Sequence, residues 1–117
     1  MKRALVLAVA VLLALPFAGD AHGRWATVGA SYEGLNGYRD ACGTIVNEHT
    51  MAVASHYPCG TVIWIHYGRH TVRAVTLDHG PYAYGRSLDL WWRTARHLGF
   101  HSGAAFGVRT VRMAVGR

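Results

Sequence analysis

The segment Thr61–Leu77 reads TVIWIHYGRHTVRAVTL, two runs rich in β-branched and aromatic residues on either side of Gly68-Arg69. Two such runs joined by a two-residue turn that contains glycine are typical of a β-hairpin. In the second run, polar and apolar residues occur on both alternating faces, so neither face is uniformly apolar. This pattern favours a closed barrel over an open sheet with one wet face.

Shorter strand patterns flank this hairpin. The sequence predicts a strand over Trp25–Tyr32, a strand or tight turn over Met51–Ser55, and a strand with an apolar face over Gly107–Val115. A glycine-rich loop is expected over Gly34–Gly43. Five or six short strands in a chain of this length predict a small barrel.

One segment changes from the strand period to the helical period. Asp89–Phe100 has apolar residues at helical spacing, with Asp89 placed to cap the start and Gly99 to end the helix. Ahead of it, Asp78-His79-Gly80-Pro81 is predicted to be a turn because of its Gly-Pro pair. Asp89 has two interpretations: it caps the helix and pairs with Arg86, or it supplies a second carboxylate of the site.

Length and composition limit the chain to one small domain. Its 117 residues are 51% hydrophobic and only 15% charged, with 14 glycines. This composition excludes a disordered protein, a coiled coil and a multidomain protein.

The N-terminus has the order of a secretory signal. Lys2 and Arg3 precede the uninterrupted apolar run Ala4–Leu15, and small residues follow. The run is shorter than the roughly 20 residues that a membrane-spanning helix needs. The sequence therefore predicts a signal peptide, residues 1–21, and one exported domain, residues 22–117, in the periplasm or outside the cell, with no membrane span after cleavage.

The positive net charge of the chain is a weak indication that it meets polyanions. Twelve Lys and Arg residues oppose six Asp and Glu residues, a formal charge of +6. A positive exported domain should adhere to envelope polymers such as teichoic acids, lipopolysaccharide or peptidoglycan. The Arg residues are scattered along the chain, which argues against a nucleic-acid-binding arm.

Two cysteines, Cys42 and Cys59, are expected to form a disulfide, because an isolated pair in an oxidising compartment is usually bridged. That pairing leaves no free thiol nucleophile. His66 and His70 lie on opposite sides of the hairpin turn, and the sequence leaves open whether they face each other. The sequence has no Cys-x-x-Cys pair and no phosphate-binding glycine loop. We therefore expect no metal and no cofactor.

Six short motifs, in order along the chain, resemble the RlpA-like double-psi β-barrel family. Its members are septal-ring lytic transglycosylases, related more distantly to expansins, barwin and one class of endoglucanase. The similarity spans about residues 28 to 115, and the two Cys-Gly pairs are similar to a short, secreted, disulfide-bearing branch. The motifs are Gly29–Gly34, Met51–His56, Pro58–Thr61, Asp78–Tyr82, Gly85–Leu90 and Ala95–Phe100.

The resemblance implies a six-stranded double-psi β-barrel with one short helix and a glycan-binding groove across one side. It further implies a monomeric lytic transglycosylase that cleaves peptidoglycan glycan strands to 1,6-anhydromuramic ends. The family's active residues correspond to Asp78 and His56, and His79 stands where the family usually has Arg. The residues expected to contact substrate are Tyr32, Glu33, His79, Tyr82 and Arg86.

Transglycosylation can work with a single carboxyl group, because the sugar's own 6-hydroxyl attacks the anomeric carbon. Burial of Asp78 would raise its pKa and make it that general acid and base. Alternatively, Asp78 accepts backbone N–H bonds at the turn, which would lower its pKa. His56 is expected to orient Asp78 or to bond a sugar hydroxyl, although a structural histidine fits the same position.

Aromatic rings supply the flat faces that sugars stack on. Tyr32, Tyr57, Tyr82 and Tyr84 lie in or beside the motif loops and are candidates for this contact. Tryptophans 64, 91 and 92 are expected to pack in the core. Two other functions stay open at this point: a non-catalytic expansin-like wall-binding module, and an exported inhibitor or partner-binding barrel.

Overall fold

A computed structural model describes residues 24–34 and 36–116 of the chain. The predicted signal peptide, residues 1–21, lies outside the described residues, so the domain boundary stays a prediction. No helix in the described part is long and apolar enough to cross a bilayer.

Six strands form a closed barrel in the order β1-β5-β2-β4-β3-β6, and each strand pairs with two others. The predicted double-psi β-barrel fold is thereby confirmed. Two pairings, β1 with β5 and β2 with β4, are parallel, and the other four are antiparallel. The strands are Ala26–Tyr32 (β1), Ala52–Ser55 (β2), Val62–Tyr67 (β3), His70–His79 (β4), Leu88–Leu90 (β5) and Arg109–Gly116 (β6).

The predicted hairpin is confirmed as β3 and β4. Tyr67 pairs with His70 across the turn, and Gly68 adopts a positive φ of 61°. A left-handed backbone at that position favours glycine, since it has no Cβ to clash.

The helical region differs from the prediction in three ways. Two short helices are present in the described residues, Trp92–His97 (α1) and Gly103–Phe106 (α2), instead of one. Asp89 does not cap α1, because it lies within β5; the N-cap is Trp91, which makes no side-chain cap hydrogen bond. The short strand β5 was missed because three residues are too few to show a period.

The segment that starts with Asp78 also differs from the prediction. Asp78 and His79 are the last residues of β4, not a turn, and the chain turns after them. Val53 pairs with Thr76 but Ala54 pairs with Asp78, so Leu77 is an extra residue that makes a β-bulge. Without the bulge, Ala54 would pair with Leu77 instead of Asp78.

This bulge places polar residues side by side across the barrel wall. Ala54 pairs with Asp78 on one side and with Asp89 on the other, and Asp89 pairs in turn with Ser31 of β1. Neighbouring strands lie about 4.8 Å apart, so paired positions project next to each other. Two carboxylates from distant parts of the sequence thus share one region of the wall.

The barrel interior is filled by aliphatic and aromatic side chains. Ile63, Ile65, Leu88 and Leu90 are completely buried there. A second cluster of Val46, Ala52 and Trp91 packs outside that core, and Tyr38 packs against it. The second cluster supports the loop that follows β1.

Gly29 of β1 lies against the segment that leads into β5. Its carbonyl accepts the Ser87 N–H at 2.8 Å, and a Cβ added to it would overlap the Gly85 carbonyl oxygen. We expect Gly29→Ala to lower the free energy of unfolding by about 1–3 kcal/mol, because the backbone must move to make room. Urea unfolding of the purified domain measures this.

The control for that variant is Gly34→Ala. A Cβ there would meet only the Tyr32 ring, 3.2 Å away, and a ring is able to shift. Equal stability losses in the two variants would contradict a specific close approach at Gly29.

Candidate functional site

A disulfide fixes the loop beside the site. Cys42 and Cys59 are bridged, as predicted, with an S–S distance of 2.02 Å and 17 residues of separation. Within the loop, the buried Asp40 accepts the N–H groups of Cys42 at 3.1 Å and Thr44 at 2.8 Å through Oδ1. These bonds shape residues 38–45 into a compact turn, which we call the tethered loop.

Asp78 is a buried carboxylate held by hydrogen bonds from the tethered loop. Its Oδ1 accepts the Ala41 N–H at 3.0 Å and the His79 N–H at 2.8 Å, and its Oδ2 accepts the Tyr38 hydroxyl at 2.8 Å. Burial raises the pKa of Asp78, but these hydrogen bonds outweigh it, and the net pKa lies below the ordinary value. The expectation of a raised pKa was wrong, and the alternative of backbone hydrogen bonds is confirmed.

The raised pKa belongs instead to Glu33, the residue after β1. Burial, the largest cause, together with the nearby charges of Asp78 and Asp89, raises the pKa of Glu33 to about 7, against the lowering effect of the Tyr38 hydrogen bond. Its Oε2 is buried and has no hydrogen-bond partner among the described residues. Glu33 is therefore a carboxyl group that keeps its proton close to neutral pH.

Tyr38 joins the two acids. Its hydroxyl oxygen lies 2.8 Å from Glu33 Oε1 and 2.8 Å from Asp78 Oδ2. A phenol carries one proton and can donate to only one of them, so the second contact is a hydrogen bond only if its carboxyl is protonated. Burial and both hydrogen bonds raise the pKa of Tyr38. Glu33 and Asp78, the carboxyl pair, thus hold one titratable proton between them.

Asp89 is the third acid near this pair. It accepts the Ser31 hydroxyl at 2.6 Å, a contact between β1 and β5. Its charge favours the protonated form of Glu33. Asp89 is therefore neither a helix cap nor a member of the carboxyl pair.

His56 lies directly after β2 and is exposed. Its Nε2–H donates to the Pro81 carbonyl at 2.8 Å, and its ring contacts Tyr82 edge to face, with 5.6 Å between centroids. His56 therefore holds the chain that follows Asp78; its observed contacts are with Pro81 and Tyr82, not with the Asp78 carboxylate.

His79 turns its ring toward the disulfide, with Nε2 3.6 Å from Cys59 Sγ. His79, Cys59 and Cys42 are the one group of three residues of metal-binding type whose ligand atoms lie close together in the described part of the chain. Because both sulfurs are in a disulfide, only His79 offers a free ligand atom. His66 bonds the Thr71 hydroxyl at 2.7 Å.

The predicted substrate contacts occupy different surroundings. Tyr32 ends β1 and contacts Trp92 edge to face at 6.2 Å, while Arg86 is half-buried. Three tyrosines are exposed: Tyr57 at 42%, Tyr82 at 83% and Tyr84 completely. Among the tryptophans, Trp91 is fully buried as predicted, and 64 and 92 are half-buried.

Two grooves lie near these residues, and neither is lined by the carboxyl pair itself. The first, the His56 groove, has a volume of about 320 Å³. The second, the arginine groove, has a volume of about 400 Å³. The His56 groove is lined by Arg24, Ala26, Val28, His56, Tyr57, Ser87, Met113 and Val115. The arginine groove is lined by Glu48, His49, Trp92, Arg93, Arg96 and His97.

The raised pKa of Glu33 predicts a pH-dependent stability. As pH rises from the ordinary value of 4.5 through about 7, the unfolded chain loses this proton before the folded chain does, so the folded state loses stability. Glu33→Gln removes this titration. The variant should therefore gain stability relative to wild type between about pH 5 and about pH 8, as measured by urea unfolding at both values.

Glu48→Gln, at an exposed carboxyl, serves as the control. A stability difference between Glu33→Gln and wild type that is the same at both pH values would show that Glu33 is not protonated in the folded state.

No protein-family model and no curated protein matches the sequence. Solved structures share the fold, among them an inhibitor and an expansin. A papain inhibitor from Streptomyces has a TM-score of 0.65 and 22% identity, over 82% of this chain and 97% of the inhibitor. An expansin from Clavibacter michiganensis, in its apo form, has a TM-score of 0.62 and 24% identity, over 80% of this chain and 51% of the expansin.

The chain thus spans about half the length of that expansin. At these identities the similarity establishes the barrel fold that the motifs implied, and the RlpA-like family assignment stays a prediction.

Proposed function

We propose that this protein is an exported enzyme that cleaves peptidoglycan glycan strands by transglycosylation. Glu33 is the proton donor and Asp78 its ionised partner, a reversal of the role predicted for Asp78. The observation that carries the proposal is the Tyr38 hydroxyl, which lies 2.8 Å from Glu33 Oε1 and 2.8 Å from Asp78 Oδ2 and so joins two acids, with the pKa of Glu33 raised to about 7 and that of Asp78 lowered. Two acids with pKa values pushed apart are the usual arrangement for acid catalysis on a glycosidic bond.

In the proposed reaction, the protonated Glu33 gives its proton to the glycosidic oxygen as the bond from that oxygen to the anomeric carbon breaks. The 6-hydroxyl oxygen of the same muramic acid residue then bonds to the anomeric carbon and closes the 1,6-anhydro ring. The proton of that hydroxyl passes to the Glu33 carboxylate, which restores the acid. No water is consumed, and the negative charge of Asp78 stabilises the positive charge that develops on the sugar.

The close spacing of the carboxyl pair favours this route over inverting hydrolysis. Both carboxyl oxygens lie 2.8 Å from one phenol oxygen, so they are no more than twice that distance apart. An inverting hydrolase needs about 6.5–9.5 Å between its two carboxyl groups to admit a water molecule. A pair that shares one proton suits a reaction in which that proton is returned at the end of the cycle.

The exposed rings near Asp78 would provide the binding surface for sugars. Tyr82 follows Asp78 by four residues, contacts His56, and is 83% exposed. Tyr57 lines the His56 groove. These rings offer flat apolar faces with hydroxyl groups at their edges, as sugar recognition requires. In this scheme His56 contacts a sugar hydroxyl and is not the acid.

A second candidate is binding without catalysis, to wall glycan or to a protein. The complete exposure of Tyr84 and the large exposure of Tyr82 favour it, since exposed tyrosines often anchor partners. In the expansin-like version, the protein binds wall glycan in the groove but does not cleave it. In the inhibitor version, the Tyr82–Tyr84 loop binds a protease, a possibility suggested by the name of the Streptomyces neighbour, a papain inhibitor.

The enzymatic proposal is tested by digestion of purified peptidoglycan with the mature domain and detection of 1,6-anhydromuramic ends by mass spectrometry. Wild type should release these ends. Glu33→Gln should release them at least about 100-fold more slowly, because the proton donor is lost. His101→Gln, at an exposed residue outside the site, should match wild type. If Glu33→Gln matches wild type as well, Glu33 is not the acid.

The second candidate is separated by its own measurements. Wild type that sediments with sacculi but releases no anhydro ends would support a wall-binding module. Inhibition of papain by wild type, lost in Tyr84→Ala, would support the inhibitor version. Activity against peptidoglycan without papain inhibition is the expected outcome.

A further inference from the structure

The arginine groove lies at the helix α1 and contains a cluster of cationic side chains. Arg93, Arg96 and His97 come from α1, and His49 approaches from the loop before β2. Arg93 and Arg96 are exposed and lie three residues apart, so they project from neighbouring positions on one side of the helix. Two guanidinium groups thus border one concave space of about 400 Å³.

Neither guanidinium makes a hydrogen bond or an ion pair within the described part of the chain. The only acid in the groove, Glu48, instead accepts a hydrogen bond from the Asn36 amide at 2.8 Å. Two arginines against one carboxylate leave a formal charge of +1, with the histidines neutral. This balance matches a single negative charge better than a doubly charged group.

The arginine groove adjoins the carboxyl pair through two aromatic rings. Trp92 lines the groove and contacts the ring of Tyr32, and Tyr32 is followed directly by Glu33. Burial, and after it the charge of Glu48, raises the pKa of Tyr32, so Glu48 lies close enough to the Tyr32 hydroxyl to act on it. A polysaccharide held at Glu33 would therefore extend over Tyr32 toward Arg93 and Arg96.

We propose that the arginine groove binds a singly charged oxygen group carried on that polysaccharide, either a sugar-linked carboxylate or a phosphodiester. The guanidinium fork pairs with either group through two parallel N–H···O bonds. The ring of Trp92 packs against the adjoining sugar. This assignment rests on the proposed function for the position of the strand, and it makes the protein selective for acidic over neutral glycans.

The test compares Arg93→Gln/Arg96→Gln with the matched control Arg69→Gln/Arg112→Gln. The control also removes two positive charges, but Arg69 lies in the turn between β3 and β4, Arg112 lies in β6, and neither residue lines either of the two grooves. All binding is measured by titration calorimetry in the Glu33→Gln background, so that no probe is cleaved. The probes are a peptide-free muramic acid tetrasaccharide, poly(glycerol phosphate) and the neutral N-acetylglucosamine tetramer.

We expect Arg93→Gln/Arg96→Gln to bind one of the two acidic probes about tenfold or more weakly, and the neutral probe with unchanged affinity. The acidic probe that responds identifies the group that is bound. An equal loss on all probes, no loss on either acidic probe, or the same loss in the control variant would overturn the proposal.

A second measurement does not depend on the folding of any variant. Added salt should weaken binding of the responsive acidic probe by wild type and leave the neutral probe unaffected, because exposed charges are screened. Equal salt effects on both would overturn the proposal. Acid-selective binding without any anhydro ends in the digestion assay would retain this groove and reject the catalytic role of Glu33.

Discussion

The carboxylate of Asp78 accepts three hydrogen bonds inside the protein, and the surrounding structure is arranged to supply them. A buried charge is costly unless its lone pairs are satisfied. Two donors, the Ala41 N–H and the Tyr38 hydroxyl, come from the tethered loop. Cys42, the next residue of that loop, is joined to Cys59, so the disulfide fixes the donors as well as the chain. The β4 bulge pairs Asp78 with Ala54 of β2.

Burial is the main cause of the protonated state of Glu33, and the same fixed charge adds to it. Burial opposes a charged carboxylate, and an ionised Asp78 opposes a second negative charge nearby, so Glu33 keeps a proton that an exposed glutamate would lose. The division of roles follows from hydrogen bonding: Asp78 receives two backbone N–H donors, whereas Glu33 Oε2 receives none from the described residues. Two chemically similar acids therefore take opposite protonation states, and the Tyr38 hydroxyl connects them.

Features that are local in the sequence were predictable, and features that depend on distant pairings were not. The β3–β4 hairpin, the disulfide and the barrel followed from short patterns. The role of Glu33 was missed because its raised pKa depends on burial in the folded barrel and on the charges of Asp78 and Asp89, which lie far along the chain. Tyr38 lay in a segment that reads only as a glycine-rich loop. A carboxylate after a strand and a tyrosine five residues later were the only available signals.

Among the neighbouring strands of the barrel, only β3 and β4 are joined by a tight turn. The parallel pairs of the barrel join residues far apart in the sequence, such as Ala30 with Leu88, and the bond from Ala41 of the tethered loop to Asp78 spans 37 residues. Closing long segments costs chain entropy before any contact repays it, which slows folding of such topologies. We therefore expect the hairpin to form early in the folding reaction and the carboxyl pair to assemble late, once the barrel has closed.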